Sequence, residues 1–134
     1  MELSVMIIDD DNMFNIMAKV LLRNTGISAD PIICTDGREA LMALRQRLSP
    51  DRAFLLFLDI NMPLLSGWDV LDALQKFPGG SSIFVIIVTS SIDKADRIQA
   101  LRYPQVIDYL IKPLQRERLF ALRSLPQLAA FFST

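Results

Sequence analysis

The stretch that decides the fold is Phe54-Leu-Leu-Phe-Leu-Asp59-Ile-Asn-Met-Pro-Leu-Leu-Ser-Gly67. Its apolar run, Phe54–Leu58, leads directly into Asp59, and such a run predicts a strand that is buried on both faces of a sheet. Pro63 prevents a direct passage into a helix, because the residue before a proline avoids the α region. Asp59 is therefore predicted to lie where a strand meets a loop, the edge at which open α/β sheets bind ligands. An Asp that only caps the loop is the alternative at this point.

Composition limits the classes of protein to which the chain could belong. Its 134 residues predict one domain, and 51% hydrophobic residues are enough for a sizeable core. A net charge of −1 does not favour a nucleic-acid surface. The absence of histidine excludes histidine acid–base catalysis and most zinc sites, and the single cysteine, Cys34, excludes an internal disulfide. Cys34 is expected to be buried and inert.

The chain is expected to be cytoplasmic, with no membrane partner and no direct contact with nucleic acid. Its longest apolar run, Ile83–Val88, is far too short to span a bilayer. The N-terminus lacks the basic start and long apolar core of a signal peptide.

Short apolar runs alternate with helical patterns along the whole chain. The predicted strands are Val5–Ile8, Ile32–Cys34, Phe54–Leu58, Ile83–Val88 and Val106–Ile111. A helical pattern follows each of them, and this β-α alternation, repeated five times, predicts a parallel sheet with helices on both faces. The second strand is expected at or near an edge of the sheet, since Pro31 precedes it.

Three details of the helices are predicted as well. The first helix is identified by the spacing of Met13, Ile16, Met17, Val20 and Leu21, and its two methionines are expected to fill the core. The third is expected to stop at the turn 78–82, and the fourth carries Ala95, Ile98 and Leu101. The last is expected over about 115–125, so that residues 1–125 form the domain. Residues 126–134 form an apolar tail that either packs back or binds a partner.

Reactive side chains follow four of the predicted strands. The first strand ends in Asp9 and Asp10, the third in Asp59, the fourth in Thr89 and the fifth in Lys112. Because parallel strands end at the same edge, these groups are expected to lie together. Converging carboxylates repel one another, and a divalent cation and a lysine would relieve that repulsion. Mg²⁺ is the cation that fits an oxygen-only set, and an aspartate beside Mg²⁺, an ammonium and a hydroxyl has the parts to receive a phosphoryl group.

The order and spacing of these motifs resemble the receiver domains of response regulators. The matching motifs are Asp9-Asp10 after Val-Met-Ile-Ile, Asp59 in Leu-Asp-Ile-Asn-Met-Pro, Thr89 after Ile-Ile-Val, and Lys112-Pro113 after Tyr-Leu-Ile, within a match over about residues 3–125. The resemblance implies a doubly wound, flavodoxin-like α/β fold. Its parallel sheet of five strands in the order 2-1-3-4-5, with five helices, is inherited from the family.

The resemblance also implies a role for each matching acidic residue. Asp59 resembles the phosphoacceptor. Asp10 and Asp59 resemble the carboxylate ligands of Mg²⁺, with Asp9 acting mostly through water and Asn61 offering its backbone carbonyl rather than its side chain. Asp11 is expected to cap the first helix rather than to serve as a further acid of the site.

Further roles implied by the resemblance concern phosphoryl contact, switching and local structure. Thr89 and Lys112 are expected to contact the phosphoryl oxygens, and Thr89 with Tyr109 forms a switch in which the aromatic ring moves between outward and inward positions. Pro113, in a cis bond, and Gly67 are expected to be structural. The family often carries Gly-Ala shortly before the fifth strand, whereas this chain has Arg102-Tyr-Pro-Gln-Val106.

The function implied is a phosphorylation-activated switch of a two-component system or phosphorelay, a regulatory domain that catalyses only its own phosphorylation and dephosphorylation. Its expected partners are a histidine kinase or histidine phosphotransfer protein and an unidentified downstream protein, with the chain a monomer or a weak phosphorylation-dependent dimer. One alternative is an aspartate-nucleophile, Mg²⁺-dependent phosphatase, although such enzymes usually place a second Asp where this chain has Asn61. The other is a degenerate receiver that acts only as a docking module.

Overall fold

The computed structural model describes residues 1–78 and 82–132. The strands are β1 (Glu2–Ile8), β2 (Ile32–Cys34), β3 (Arg52–Leu58), β4 (Ile83–Thr89) and β5 (Val106–Ile111). The helices are α1 (Asn12–Asn24), α2 (Gly37–Arg47), α3 (Gly67–Leu74), α4 (Lys94–Leu101), α5 (Arg116–Leu122) and α6 (Ala129–Phe132). The turn expected to end α3 falls partly on residues 79–81, and the tail partly on residues 133–134, all outside the described residues.

The strands form one parallel sheet in the order β2-β1-β3-β4-β5. The predicted fold class and strand order are therefore confirmed, and β2 is an edge strand as expected. β3 occupies the centre, and every residue of Phe54–Leu58 is buried. Cys34 of β2 is buried too, and burial raises the pKa of its thiol to about 12, so the thiol is inert at neutral pH.

Helices cover both faces of the sheet and bury one core on each. Helices α2, α3 and α4 pack on the face that presents Met6, Phe54 and Leu56. Helices α1 and α5 pack on the opposite face, where Leu55 and Phe57 point. None of the helices in the described part of the chain has the length and apolar character needed to cross a bilayer.

Helix α1 presents a different face to the core from the one predicted. Its buried residues are Phe14, Asn15, Ala18 and Leu22, whereas Met13 is 77% exposed and Ile16, Met17 and Val20 are also exposed. The prediction that Met13 and Met17 fill the core is therefore wrong. The helix carries two apolar stripes, both with helical spacing, and periodicity alone does not tell which of them faces the sheet.

Helix α4 carries Ala95, Ile98 and Leu101, as predicted, but buries little of its apolar surface. Among its residues only Ala100 is fully buried, and Ile98 and Leu101 are exposed. A helix with so little buried apolar surface is held weakly by the core, and such elements belong to the less stable part of a fold.

The departure from the family pattern before β5 builds a contact between α3 and the end of α4. The Tyr103 hydroxyl donates a hydrogen bond of 2.6 Å to the carboxylate of Asp72, and its ring stacks on Trp68 with 6.4 Å between centroids. The hydrogen bond to Asp72, with burial, raises the pKa of Tyr103 to about 12. The Gln105 amide also donates to the Leu74 carbonyl, so this loop is tied to α3.

The C-terminal segment packs back onto the α1–α5 face. Helix α5 ends at Leu122, earlier than the expected residue 125, and the short α6 adds a sixth helix to the expected five within the described residues. Leu128 is fully buried in the same core as Leu22 and Leu119. Of the two fates expected for the tail, residues 126–132 adopt the first and pack on their own domain.

Candidate functional site

The carboxylates predicted to converge do lie together at the carboxyl end of the sheet. Oxygen atoms of Asp9, Asp10 and Asp59 all lie within 4.8 Å of one another. The sheet ladder places two of them directly, since the Asp9 amide donates to the Cys34 carbonyl and the Asp59 amide donates to the Ile8 carbonyl, each at 3.1 Å. Asp9 and Asp59 are buried and Asp10 is exposed, so the cluster opens to solvent on the side of Asp10.

Asp9 is fixed by the start of α1. Its Oδ1 atom accepts a 2.9 Å hydrogen bond from the Asp11 amide, and its carbonyl accepts one of 2.9 Å from the buried Asn15 side chain. Burial raises the pKa of the Asp9 carboxyl, and the Lys112 ammonium opposes that rise only in part. Asp11 itself caps α1, as expected, by accepting from the Met13 and Phe14 amides.

Lys112 supplies the positive charge at the centre of the cluster. Its Nζ lies 2.8 Å from Asp9 Oδ2 and 3.2 Å from Asp59 Oδ2, and its side chain is 16% exposed. Burial alone would lower the pKa of the ammonium, but the two carboxylates outweigh it and raise that pKa above the ordinary lysine value. The Lys112–Pro113 peptide bond is cis, as expected, and the Lys112 amide donates to the Thr89 carbonyl at 2.8 Å.

The loop after Asp59 is held close to the strand. The Asn61 amide donates to Asp59 Oδ1 at 3.0 Å, and the Gly67 amide donates to the Ile60 carbonyl at 3.2 Å. A Cβ atom on Gly67 would come within 2.5 Å of the Asp59 carbonyl oxygen, so the backbone can approach only because the residue is glycine. Leu64, in the same loop, is fully exposed with a φ of +64°, a conformation that is uncommon for a residue with a side chain.

Thr89 lies beside the cluster and is linked to it through a side chain whose contact was not predicted. Its hydroxyl oxygen accepts from the Asn61 side-chain amide at 3.2 Å and from the Ser91 amide at 3.3 Å. Asn61 was expected to act through its backbone carbonyl alone. Metal binding by the backbone carbonyl of Asn61 stays a prediction. The side-chain amide of Asn61 links the loop after β3 to the end of β4.

Tyr109 occupies an inward position in this structure. Its side chain is buried, and its hydroxyl donates to the Ser91 carbonyl at 3.3 Å. Burial raises the pKa of the phenol. Arg97 of α4 lies over the ring, with its guanidinium carbon 5.9 Å from the centroid. Tyr109 of β5 therefore contacts both α4 and the loop after β4.

The donor set fits a hard divalent cation. It offers oxygen atoms alone, and like charges at this spacing favour a cation between them. Lys112 balances part of the charge of Asp9 and Asp59, while Asp10 faces solvent. Asp9, Asp10 and Asp59 are the residues that could hold such a cation.

Comparison with known proteins identifies the family to which this doubly wound parallel sheet, with an acidic cluster and a lysine at its carboxyl edge, belongs. The family model described as "Response regulator receiver domain" matches residues 5–123. The chain is 31% identical over 117 residues to the DNA-binding response regulator MtrA of Mycobacterium tuberculosis, a match that covers 87% of this chain and 47% of MtrA. It therefore belongs to the family of response regulator receiver domains, which act in two-component signalling.

Other relatives agree with this assignment. The luminescence regulatory protein LuxO of Vibrio campbellii is 36% identical over 95 residues, which are 71% of this chain and 19% of LuxO. The crystal structure of a two-component response regulator from Cytophaga hutchinsonii superposes with a TM-score of 0.77 at 28% identity, covering 90% of this chain and 92% of that one. The chain spans about half the length of the MtrA proteins that it matches.

A third solved structure shares the fold at lower identity. It is the receiver domain of a sensor histidine kinase from Pseudomonas aeruginosa, described with a magnesium ion coordinated in its active-site cleft. It is 23% identical, with a TM-score of 0.70, and the match covers 89% of this chain and 92% of that chain.

Proposed function

We propose that this receiver domain is a phosphorylation-activated switch that accepts a phosphoryl group on Asp59 with Mg²⁺ bound. The observation that carries the proposal is the convergence of Asp59 with Asp9, Asp10 and Lys112, because a carboxylate among these groups has both a cation site and an ammonium at hand. The magnesium described in the P. aeruginosa receiver domain supports the same choice of metal.

The proposed chemistry gives a role to each of these side chains. A carboxylate oxygen of Asp59 attacks the phosphorus of a phosphohistidine, the P–N bond breaks, and the departing imidazole keeps its electron pair and takes a proton from solvent. Mg²⁺, when bound, neutralises charge on the phosphoryl oxygens. Lys112, whose ammonium lies 3.2 Å from Asp59 Oδ2, contacts another phosphoryl oxygen, and Thr89 donates its hydroxyl to a third.

The phosphoryl donor is proposed to be a histidine kinase or a histidine phosphotransfer protein. The exposed apolar stripe of α1, formed by Met13, Ile16, Met17 and Val20, begins next to Asp10 and Asp11 and has the spacing that packs against another helix. Leu64 adds a fully exposed apolar side chain on the loop after Asp59. A helix of the donor that rests on this stripe would bring its histidine to the open side of the cluster.

A phosphatase reading is disfavoured by Asn61. An aspartate-nucleophile phosphatase needs a general acid near this position, and an amide neither donates nor retakes a proton as a carboxyl does. The side-chain amide of Asn61 instead donates a hydrogen bond to the Thr89 hydroxyl.

The proposed function is tested by exposure of the purified chain to acetyl phosphate. With Mg²⁺ the intact mass should increase by one phosphoryl group, and with EDTA it should not. Steady turnover of p-nitrophenyl phosphate would favour the phosphatase instead, and a lack of any mass increase with Mg²⁺ would favour the degenerate receiver.

Asp10→Ala should weaken Mg²⁺ binding more than Asp9→Ala does. Asp10 is exposed and able to meet a hydrated ion directly, whereas Asp9 is buried and paired with Lys112 at 2.8 Å. Mg²⁺ keeps several of its waters, so a ligand that acts through water contributes less. Calorimetric titration of both variants measures the difference. An equal or larger loss in Asp9→Ala would show that the two roles are exchanged.

The output surface is proposed to be the face formed by α4, β5 and α5, contacted by a partner protein rather than by nucleic acid. Ile98, Leu101, Ile111 and Phe120 are exposed on these elements. A pocket of about 440 Å³ beside Tyr109 has Arg97 and Arg118 in its lining. Because α4 buries little apolar surface against the core, a shift of the Thr89 side chain has to break only a few contacts of α4 to change the shape of this face.

Thr89→Ala should still accept phosphoryl groups, at a reduced rate, yet lose most of its activation-dependent binding to the output partner. Removal of the hydroxyl breaks the link from the Asn61 side chain and the proposed contact with the phosphoryl group, so the phosphorylated state no longer favours one arrangement of Tyr109. Pull-downs with and without beryllofluoride measure the effect, with Ser90→Ala as the matched control on a neighbouring hydroxyl. Full activation-dependent binding by Thr89→Ala would contradict this output mechanism.

A further inference from the structure

Lys112 has an aromatic neighbour in addition to its two carboxylates. Its Nζ lies 4.3 Å from the centroid of the Phe14 ring. The Phe14 side chain is buried and that of Lys112 nearly so, and an ammonium above an aromatic face is attracted more strongly where water is excluded. The ring therefore forms one side of the space in which the ammonium sits, and Asp9 and Asp59 occupy another.

The position of the Phe14 ring is fixed from two directions. Its backbone amide donates to the capping carboxylate of Asp11 at 3.2 Å, and the Asp11 amide in turn donates to Asp9. These bonds tie the first turn of α1 to the acidic cluster. Its side chain belongs to the core that includes Ala18 and Leu119. The ring is therefore held in place by contacts other than those with the carboxylates of the cluster.

Phosphorylation changes the partners of Lys112. Once Asp59 carries a phosphoryl group, one of its oxygens is bonded to phosphorus, and the carboxylates also face Mg²⁺. The Lys112 ammonium then shares Asp9 and Asp59 with the metal ion and the phosphoryl group. The Phe14 ring is uncharged and ligates neither metal nor phosphoryl group, so its attraction for the ammonium does not compete with either of them.

We infer that Phe14 is a positioning residue for Lys112, whose aromatic face keeps the ammonium directed at the phosphoryl oxygen throughout the reaction. This inference rests on the proposed function of Asp59. It assigns to the buried face of α1 a part in phosphoryl transfer in addition to its part in the core.

The test compares Phe14→Leu, which removes the ring while keeping an apolar side chain of similar length, with Phe14→Tyr, which keeps the ring. Phe77→Leu is the matched control, because Phe77 is also a buried ring against a cation, with the Arg45 guanidinium carbon 5.1 Å from its centroid, but it follows α3 and packs on the opposite face of the sheet from Phe14. The first measurement uses the protein without metal. The proton resonances of the Lys112 Cε methylene should be shifted upfield by the ring in the wild type and in Phe14→Tyr, and should lose that shift in Phe14→Leu.

The second measurement is the rate of phosphorylation by acetyl phosphate with Mg²⁺. Phe14→Leu should slow it by about three- to tenfold, as expected for loss of one desolvated cation–π contact, while Phe14→Tyr and Phe77→Leu stay close to the wild type. The affinity for Mg²⁺ without a phosphoryl donor should be nearly unchanged, because the ring contacts no cation ligand of the site. A merely structural role would lower the rate and the Mg²⁺ affinity together.

The inference is overturned by an unshifted Lys112 resonance in the wild type, by a wild-type rate in Phe14→Leu, or by equal losses in Phe14→Leu and Phe14→Tyr. If Phe14→Leu does not fold, the Lys112 resonance of the wild type and the rate of Phe14→Tyr still decide the matter. A wild type that accepts no phosphoryl group removes the proposed function itself, an outcome distinct from a wild type that reacts while Phe14→Leu reacts equally well.

Discussion

Asp59→Asn should abolish phosphoryl acceptance. The amide has nearly the shape of the carboxylate but is not a nucleophile, and Lys112 keeps its ion pair with Asp9 at 2.8 Å, so the variant should fold as the wild type does. Intact-mass measurement after incubation with acetyl phosphate and Mg²⁺ should find the phosphorylated fraction at background.

The matched control is Asp36→Asn. Asp36 also lies at the carboxyl edge of the sheet, after β2, but it caps α2 by accepting from the Glu39 amide and is outside the acidic cluster. Asn is as good a cap as Asp, so this variant should be phosphorylated at the wild-type rate. Phosphorylation that persists in Asp59→Asn, or that is lost to the same extent in Asp36→Asn, would contradict the role of Asp59.

Lys112→Met should have two large effects, one on chemistry and one on stability. Phosphorylation by acetyl phosphate should slow by about a hundredfold, the size of effect seen when one preorganised contact to developing charge is removed. Without metal, the buried Asp9 carboxylate loses the ammonium that neutralises it, and the free energy of unfolding at pH 7 should fall by about 2–3 kcal/mol, somewhat less than for a fully buried pair.

Two conditions should reduce the stability loss in Lys112→Met. Mg²⁺ replaces the missing positive charge and should restore most of the stability. Acid should restore part of it, because burial already raises the pKa of Asp9 and loss of Lys112 raises it further, so the carboxyl becomes neutral as the pH falls through that pKa. Urea denaturation in EDTA and in Mg²⁺, at pH 7 and pH 5, measures both effects.

Lys76→Met, at an exposed position, is the control. A loss as small as that of Lys76→Met, or a loss that Mg²⁺ increases, would show that Lys112 does not balance the cluster.

The sequence was sufficient to predict the sheet and the residues gathered at its edge. Phe54–Leu58 is a short apolar run typical of a strand buried on both faces, and it is indeed the central strand. Because parallel strands all end at one edge, the residues after them had to converge, and Asp9, Asp59 and Lys112 do so within ion-pair distance.

The parts that escaped prediction depend on which way a side chain faces. Two apolar stripes run along α1, and only packing against the sheet selects Phe14 rather than Met13. The contacts of Asn61 with Thr89, and of Phe14 with Lys112, join residues far apart in the chain, and neither has a motif of its own. A signal did exist for Asn15, since a polar residue on the buried face of a helix needs a specific partner, here the Asp9 carbonyl.

The most direct test of the central claim is the position of the phosphoryl group on the chain. After reaction with acetyl phosphate and Mg²⁺, borohydride reduction converts an aspartyl phosphate to a stable alcohol, which tandem mass spectrometry of the peptides then locates. Modification of Asp59 alone is expected, and none when EDTA replaces Mg²⁺. Modification of Asp9, Asp10 or any other residue in place of Asp59, or modification of Asp59 that is independent of the metal, would contradict the claim.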